Sequence, residues 1–262
     1  MKAKGFTAGV LLLCLALVLS GCVLDPQQAI LAAARSKTAA EEQPEVSAPE
    51  QDVAEASAWE QEPLVVTLTS EEAQALIQGN LDSMFRGIFS EEYQALIQAS
   101  EEELRQAYLD GLDIEADVFE GYFGIEYDNE ALRARIVAFY EQVYPQCDFT
   151  VGEAVRDGDG FTAQVTVRPL NIIELTVEDM QAAAEPFSQY YTQEMVETMT
   201  DEEYMAYDAA WAELVLTVAE ANLPDMDYLP ERTTQVRVEL EDGYWMLTDE
   251  SLQELDLLMI QY

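Results

Sequence analysis

The sequence predicts an α+β domain in which several helices pack on an antiparallel sheet built from two β-hairpins. Three observations carry that expectation. Four hydroxyl-plus-acid segments read as helix starts, two Asp-Gly turns lie between alternating apolar runs, and the helices and hairpins are segregated along the chain. The expected order is helices, a hairpin, two helices, a second hairpin and a final helix.

The helix starts come first. Ser70-Glu71-Glu72, Ser90-Glu91-Glu92, Ser100-Glu101-Glu102-Glu103 and Thr200-Asp201-Glu202-Glu203 each place a hydroxyl N-cap before first-turn acids. The last two are complete capping boxes through Glu103 and Glu203. Ser70–Gln78 and Ser90–Gln98 differ only at Ala73 against Tyr93. No third copy follows, so they read as two similar helix starts and not as a repeat array. Apolar stripes extend the pattern through Leu104, Tyr108 and Leu112, and then through Leu132, Ile136, Phe139 and Val143. Beyond the first hairpin, one helix is expected through Phe187, Tyr191 and Met195 with Pro186 in its first turn, and another from Tyr204 to Val218. The last helix runs from Asp249 to Leu258.

In the second hairpin, Asp242-Gly243 is a two-residue turn that pairs Glu241 with Tyr244, Leu240 with Trp245 and Val238 with Leu247. The first surrounds Asp157-Gly158-Asp159-Gly160. A four-residue loop sets Val155 opposite Thr162 and mixes the faces. A three-residue loop, Asp157 to Asp159, pairs Val155 with Phe161, Val151 with Val165 and Phe149 with Val167, and is preferred. It leaves Glu153 on the apolar face unless a bulge at Gly152 turns it outward, which is the expectation. Cys147, beside this strand, reads as a small buried hydrophobe.

The N-terminus has a different character. Lys2 and Lys4 precede an apolar run from Phe6 to Leu19, the layout of a secretory signal. The run is too short for a spanning helix, which needs ~20 apolar residues. Leu19-Ser20-Gly21-Cys22 resembles the lipobox of bacterial lipoproteins. That resemblance implies cleavage between Gly21 and Cys22 and a diacylglycerol on the Cys22 thiol, which anchors the chain at the extracytoplasmic face of the cell membrane. Residues 23–62 are rich in Ala, Glu, Gln, Ser and Pro and read as a flexible acidic tether. Its mean end-to-end distance is ~35 Å from √n scaling. Residues 63–262 are expected to form one domain.

Charge and composition exclude whole classes of chemistry. Without residues 1–21, which hold Lys2 and Lys4 and no acid, 10 Lys and Arg face 52 Asp and Glu, a formal charge of −42. Such a surface repels phosphate backbones, so nucleic acid is not a partner. Histidine is absent, which removes Ser-His-Asp and Cys-His catalysis and every His-ligated metal site. With Cys14 in the signal and Cys22 lipidated, Cys147 has no internal disulfide partner.

The remaining constellations are bland. Asp110, Asp113, Asp117 and Glu120 share one helix face and could hold Ca²⁺ in principle, but helical carboxylates lean the same way and read as a solvated face. Hairpin chemistry accounts for Asp157 to Gly160 without a metal. The segment Asn222 to Asp227 lacks calcium-loop spacing and reads as a helix exit. No cofactor, metal site or catalytic residue is expected. The aromatics that could face a ligand are Tyr191, Trp211 and Trp245, in a pocket between helices and sheet.

Residues 23–262 also resemble a group of uncharacterised surface lipoproteins from clostridial-type Gram-positive bacteria. The matching residues are Asn80-Leu81-Asp82, Glu92-Tyr93, Ser100-Glu101-Glu102, Gly121-Tyr122-Phe123-Gly124-Ile125, Tyr144, Val165 to Leu170, and Asp242-Gly243-Tyr244-Trp245. The resemblance implies a domain of unknown function with no catalytic residues to carry over. A cone-like sheet with helices, as in nuclear-transport-factor-2-like folds, is the analogy for the domain. The resulting expectation is a monomeric, membrane-anchored, non-enzymatic domain that binds an unidentified protein or cell-wall component. A small-ligand binder, or a carboxylate- or metal-dependent cell-wall hydrolase, is the alternative.

Overall fold

A computed structural model describes residues 67–127, 129–241 and 243–262. Gly21, Cys22, the signal and tether, and Asp242 lie outside the described residues. The chain is α+β, with eight α-helices and five strands among the described residues.

The first four helices are α1 (Ser70–Leu81), α2 (Glu91–Ile97), α3 (Glu101–Phe123) and α4 (Glu130–Val143). Ser90, Ser100 and, later, Thr200 cap their helices as expected. The first helix departs by one residue: Thr69 is its N-cap and closes a capping box with Glu72. Ser70 therefore takes the first helical position, because only a cap three residues before Glu72 lets that carboxylate reach back to the cap's N–H. α1 ends in a π-helical turn, Asp82–Arg86. Arg86 is held there by Asp82 at 2.9 Å, donates from Nε to the Cys147 carbonyl at 2.9 Å, and lies over the Phe149 ring at 3.9 Å. The end of α1 is thereby fastened to the sheet.

The strands are β1 (Asp148–Val151), β2 (Val155–Asp157), β3 (Gly160–Arg168), β4 (Arg232–Glu241) and β5 (Tyr244–Leu247), in the order β1-β3-β4-β5 with β2 also on β3. The second hairpin has the expected register from Glu241↔Tyr244 to Val238↔Leu247, and Gly243 adopts the φ of +88° that its turn demands. The first hairpin needs correction. β1 pairs as expected, with Phe149↔Val167 and Val151↔Val165, but β2 pairs Val155↔Thr162 and Asp157↔Gly160. That is the register in which the faces mix, with a loop tightened to two residues. A bulge over Gly152–Ala154 resolves the mixing: Ala154 turns inward and is buried, Glu153 turns out to solvent, and Val155 is left 58% exposed. A preference for burying every valine misplaced this strand.

Between the hairpins lie α5 (Ile172–Tyr190), α6 (Gln193–Val196) and α7 (Asp201–Asn222), and α8 (Asp249–Met259) follows the sheet. Pro186 is not in a first turn but inside α5, one turn before its end. The ring deprives the Ala182 carbonyl of its helical partner, and Ala182 lies on the exposed side, where solvent is available to that oxygen. The start of α5 carries no signature because Asn171 does not cap it. Its Oδ1 accepts instead from the Asp227 N–H at 2.8 Å. The Phe187–Tyr191–Met195 stripe is consequently broken: Tyr191 ends α5 and Met195 belongs to α6.

One sheet face enters the core through Phe161, Ala163, Val165 and Val167 of β3, with α1 and α8 packed against it. Thr162, Gln164 and Thr166 form the opposite, wetter face. Leu170 joins the sheet's end to the C-terminal segment through a bridge to Ile260, and its N–H donates to the Met259 carbonyl at 2.9 Å.

Candidate functional site

α5, α6 and α7 form an arm that joins the rest of the domain through the buried start of α5, at Ile172 and Ile173, and through α7. The indole N–H of Trp211 donates to the Phe123 carbonyl at 2.8 Å, and the buried Asp208 accepts the Glu126 N–H at 2.8 Å. Burial raises the Asp208 carboxyl pKa above its ordinary value, against the lowering effect of N–H donors at Glu126 and Tyr127. Arg135 of α4 completes the joint by pairing with Glu213 at 2.6 Å and Glu220 at 2.8 Å.

The arm also carries contiguous aromatic rings. Phe187 lies 4.8 Å from Tyr191, 5.4 Å from Tyr207 and 5.4 Å from Trp211 between centroids. Tyr190 meets Tyr191 edge-on at 4.7 Å, and Tyr204 extends the row from Tyr207. These rings are only partly covered, and Tyr190 is 69% exposed. An open groove of about 610 Å³ runs between the helices, lined by Phe187, Tyr190 and Tyr191 on one side and Ala210, Glu213, Leu214 and Thr217 on the other. Tilted and edge-on contacts fix the rings to one another, so the groove is built before anything occupies it.

Of the three aromatics expected to face a ligand, the structure brings Tyr191 and Trp211 together through Phe187. Trp211 spends its N–H on the arm's joint. Trp245 belongs to another neighbourhood: it is on β5 and packs on Phe161 at 5.6 Å. A second cleft, about 550 Å³, lies where the turn at Pro145–Gln146 faces the loop at Leu223–Tyr228, with Glu141 and Asp227 on its rim.

A further feature escaped sequence reasoning. Glu115 of α3 is buried, and Tyr262 donates to its carboxylate at 3.0 Å. Tyr140 is hydrogen-bonded in turn to the Tyr262 hydroxyl. Tyr262 is 40% exposed as a residue, yet its hydroxyl end is inserted among these groups. Burial, and then the nearby charge of Asp256, push the Glu115 carboxyl up to about 8. The signal was present: Glu115 interrupts the stripe of Leu104, Leu112 and Phe119 that faces the core. The acidic stripe of Asp113, Asp117 and Glu120 lies on the opposite face of α3. There they take Arg133 of α4, at 2.7, 2.5 and 3.2 Å.

Asp157 and Asp159 likewise receive Arg237, at 2.9 and 3.2 Å. Cys147 is buried, and burial raises its thiol pKa to about 12, far from a reactive thiolate. Among the described residues no group of three or more Cys, Asp and Glu is placed to hold a metal ion, and no helix is long and apolar enough to cross a membrane.

No protein-family model matches the chain, and no curated protein matches it. The fold is similar to the crystal structure of ycdA, a candidate lipoprotein of Bacillus subtilis, at 16% identity and a TM-score of 0.50. The match covers 73% of this chain and 56% of that one, so it spans just over half of the neighbour's length. At that identity the likeness concerns the fold alone.

Proposed function

We propose that the chain is an extracytoplasmic lipoprotein, anchored in the cell membrane through diacylglycerol on Cys22, whose folded part is a non-enzymatic binding domain. The observation that carries this reading is Leu19-Ser20-Gly21-Cys22, placed after a basic start and an apolar run. The neighbour's description as a lipoprotein agrees with it. Two acyl chains at ~0.8 kcal/mol per buried methylene anchor durably, whereas one is marginal. Anionic headgroups repel a chain this acidic, so the lipid supplies the membrane contact by itself.

Cys22→Ala tests the anchor. The variant is expected to keep residues 1–21, gain no lipid mass and leave the membrane fraction. Lipid-modified, membrane-bound Cys22→Ala would end the proposal. The binding part rests on the aromatic groove of the arm. A small-ligand reading rests instead on the 550 Å³ cleft beside Pro145 and Tyr228.

A further inference from the structure

We propose that the aromatic face of the arm docks a Lys- and Arg-rich segment of an extracytoplasmic protein, seated in the groove between α5 and α7. The inference deepens the binding-domain reading and rests on it, but it does not depend on the lipid anchor. Two independent observations meet here, one of shape and one of charge.

The first is the ring surface. Tyr190, Tyr191, Phe187 and Tyr207 present partly uncovered faces, and Met195 and Met205 of the same arm are 45% and 41% exposed. Exposed aromatic and methionine side chains offer large, adaptable contact area. Tyrosine faces attract cations, at about 0.5–1 kcal/mol each when exposed and more when water is excluded.

Charge supplies the second observation. Residues 172–222 contain twelve Asp and Glu and no Lys or Arg. The ion pairs of this arm among the described residues are those of Arg135 with Glu213, which also lines the groove, and with Glu220. Glu185, Glu194, Glu197, Asp201 and Glu202 are exposed on the same arm. Elsewhere the fold meets its acidic clusters with arginine: Arg133 on the α3 stripe and Arg237 on the β2–β3 loop. The arm's field is uncompensated from within, and a cationic partner is the complement that both rings and carboxylates select. An anionic wall polymer is repelled by the same field.

The test uses the mature lipidated chain in nonionic detergent. Fluorescence anisotropy would follow a labelled Lys/Arg-rich peptide, a Glu-rich peptide of equal length and an anionic wall polymer. The cationic peptide is expected to bind, with affinity falling as salt rises, and the other two are not. Tyr190→Ala combined with Met195→Ala is expected to weaken binding about tenfold while leaving the melting temperature unchanged, as suits exposed positions. Glu194→Gln with Glu197→Gln is expected to flatten the salt dependence. The proposal is overturned if the cationic peptide does not bind, if the aromatic variant binds it equally well, or if the Glu-rich peptide or wall polymer binds as tightly. The Cys22→Ala experiment reads the anchor separately, so failure of one is distinguishable from failure of the other.

Discussion

The body and the arm of this domain are both acidic, but they treat that acidity in opposite ways. All eight arginines of residues 67–262 belong to the body, and none falls between Pro169 and Glu231. In the body, arginine pins elements together: Arg86 joins α1 to β1, Arg133 joins α4 to α3, and Arg237 closes the β2–β3 loop against β4. The arm has no such pins of its own and borrows Arg135 at its joint. The lesson is that a formal charge of −40 need not be spread evenly. It is compensated where elements must pack and left standing where a surface faces outward with its rings.

The largest expected effect lies in the body, at Glu115. Its carboxyl pKa is raised from 4.5 to about 8, so the native state keeps a proton that the unfolded chain has lost across that window. Stability therefore falls as pH rises through the window, by a few kcal/mol in order of magnitude, since each tenfold difference in proton affinity between the two states is worth about 1.4 kcal/mol. Below about pH 4.5 both states are protonated and the contribution no longer changes. Urea unfolding between about pH 5.5 and 8.5 should show this slope in the parent chain and a nearly flat line in Glu115→Gln. Equal slopes in both would mean that the buried carboxyl is not the source.

The joint between the regions comes next. Trp211→Phe keeps the ring but strands the Phe123 carbonyl, at a cost of roughly 1–3 kcal/mol. Faster hydrogen exchange in α5–α7 than in the sheet would mark the arm as a separately released unit. A uniform change would erase the distinction between arm and body.

Arg133→Met is expected to cost less, on the order of 1 kcal/mol, because its pairs are half-exposed, and the loss should shrink in high salt. Tyr190→Ala is expected to lie within about 0.5 kcal/mol of the parent in stability, as exposed side chains usually do. A large loss there would make the ring face part of the core and not a surface for a partner.

Local chemistry was mostly legible in the sequence where a side chain closes a bond with its own neighbourhood, the cap at Thr69, read as Ser70, being one residue off. The boxes at Ser100 and Thr200 and the Glu241–Tyr244 turn are of this kind. Two near-identical stretches show where legibility stops. Ser70–Gln78 and Ser90–Gln98 share eight of nine residues, yet the first runs on to Leu81 while the second stops at Gln98 with φ of +55°. The one difference matters through a distant contact: the Tyr93 ring lies against Gly79, where an added Cβ would come within 2.5 Å of it. Ile77 is fully buried and its counterpart Ile97 is not. Nothing within either nonapeptide decides that.

The candidate site divides the same way. Tyr191 and Trp211 could be picked out as aromatics on helical stripes, but their joining through Phe187 depends on α5 and α7 lying side by side. Trp245 looked equivalent and is elsewhere, because β5 hangs on β4 and turns its ring to Phe161. Pro186 misled because a proline is more at home in a first turn than one turn from a helix end.

By itself, the sequence determined the α+β class, most helix starts, the second hairpin's register and the net charge, because each depends on residues a few positions apart. Its lipobox likewise directs the proposed anchor. Only the tertiary structure decided the bulge at Gly152–Ala154, the burial of Glu115 beneath Tyr262, the pairing of Arg133 with the acidic stripe and the aromatic groove of the arm. Those depend on which elements meet, and burial and charge acquire their energetic meaning only when distant parts of the chain exclude water together.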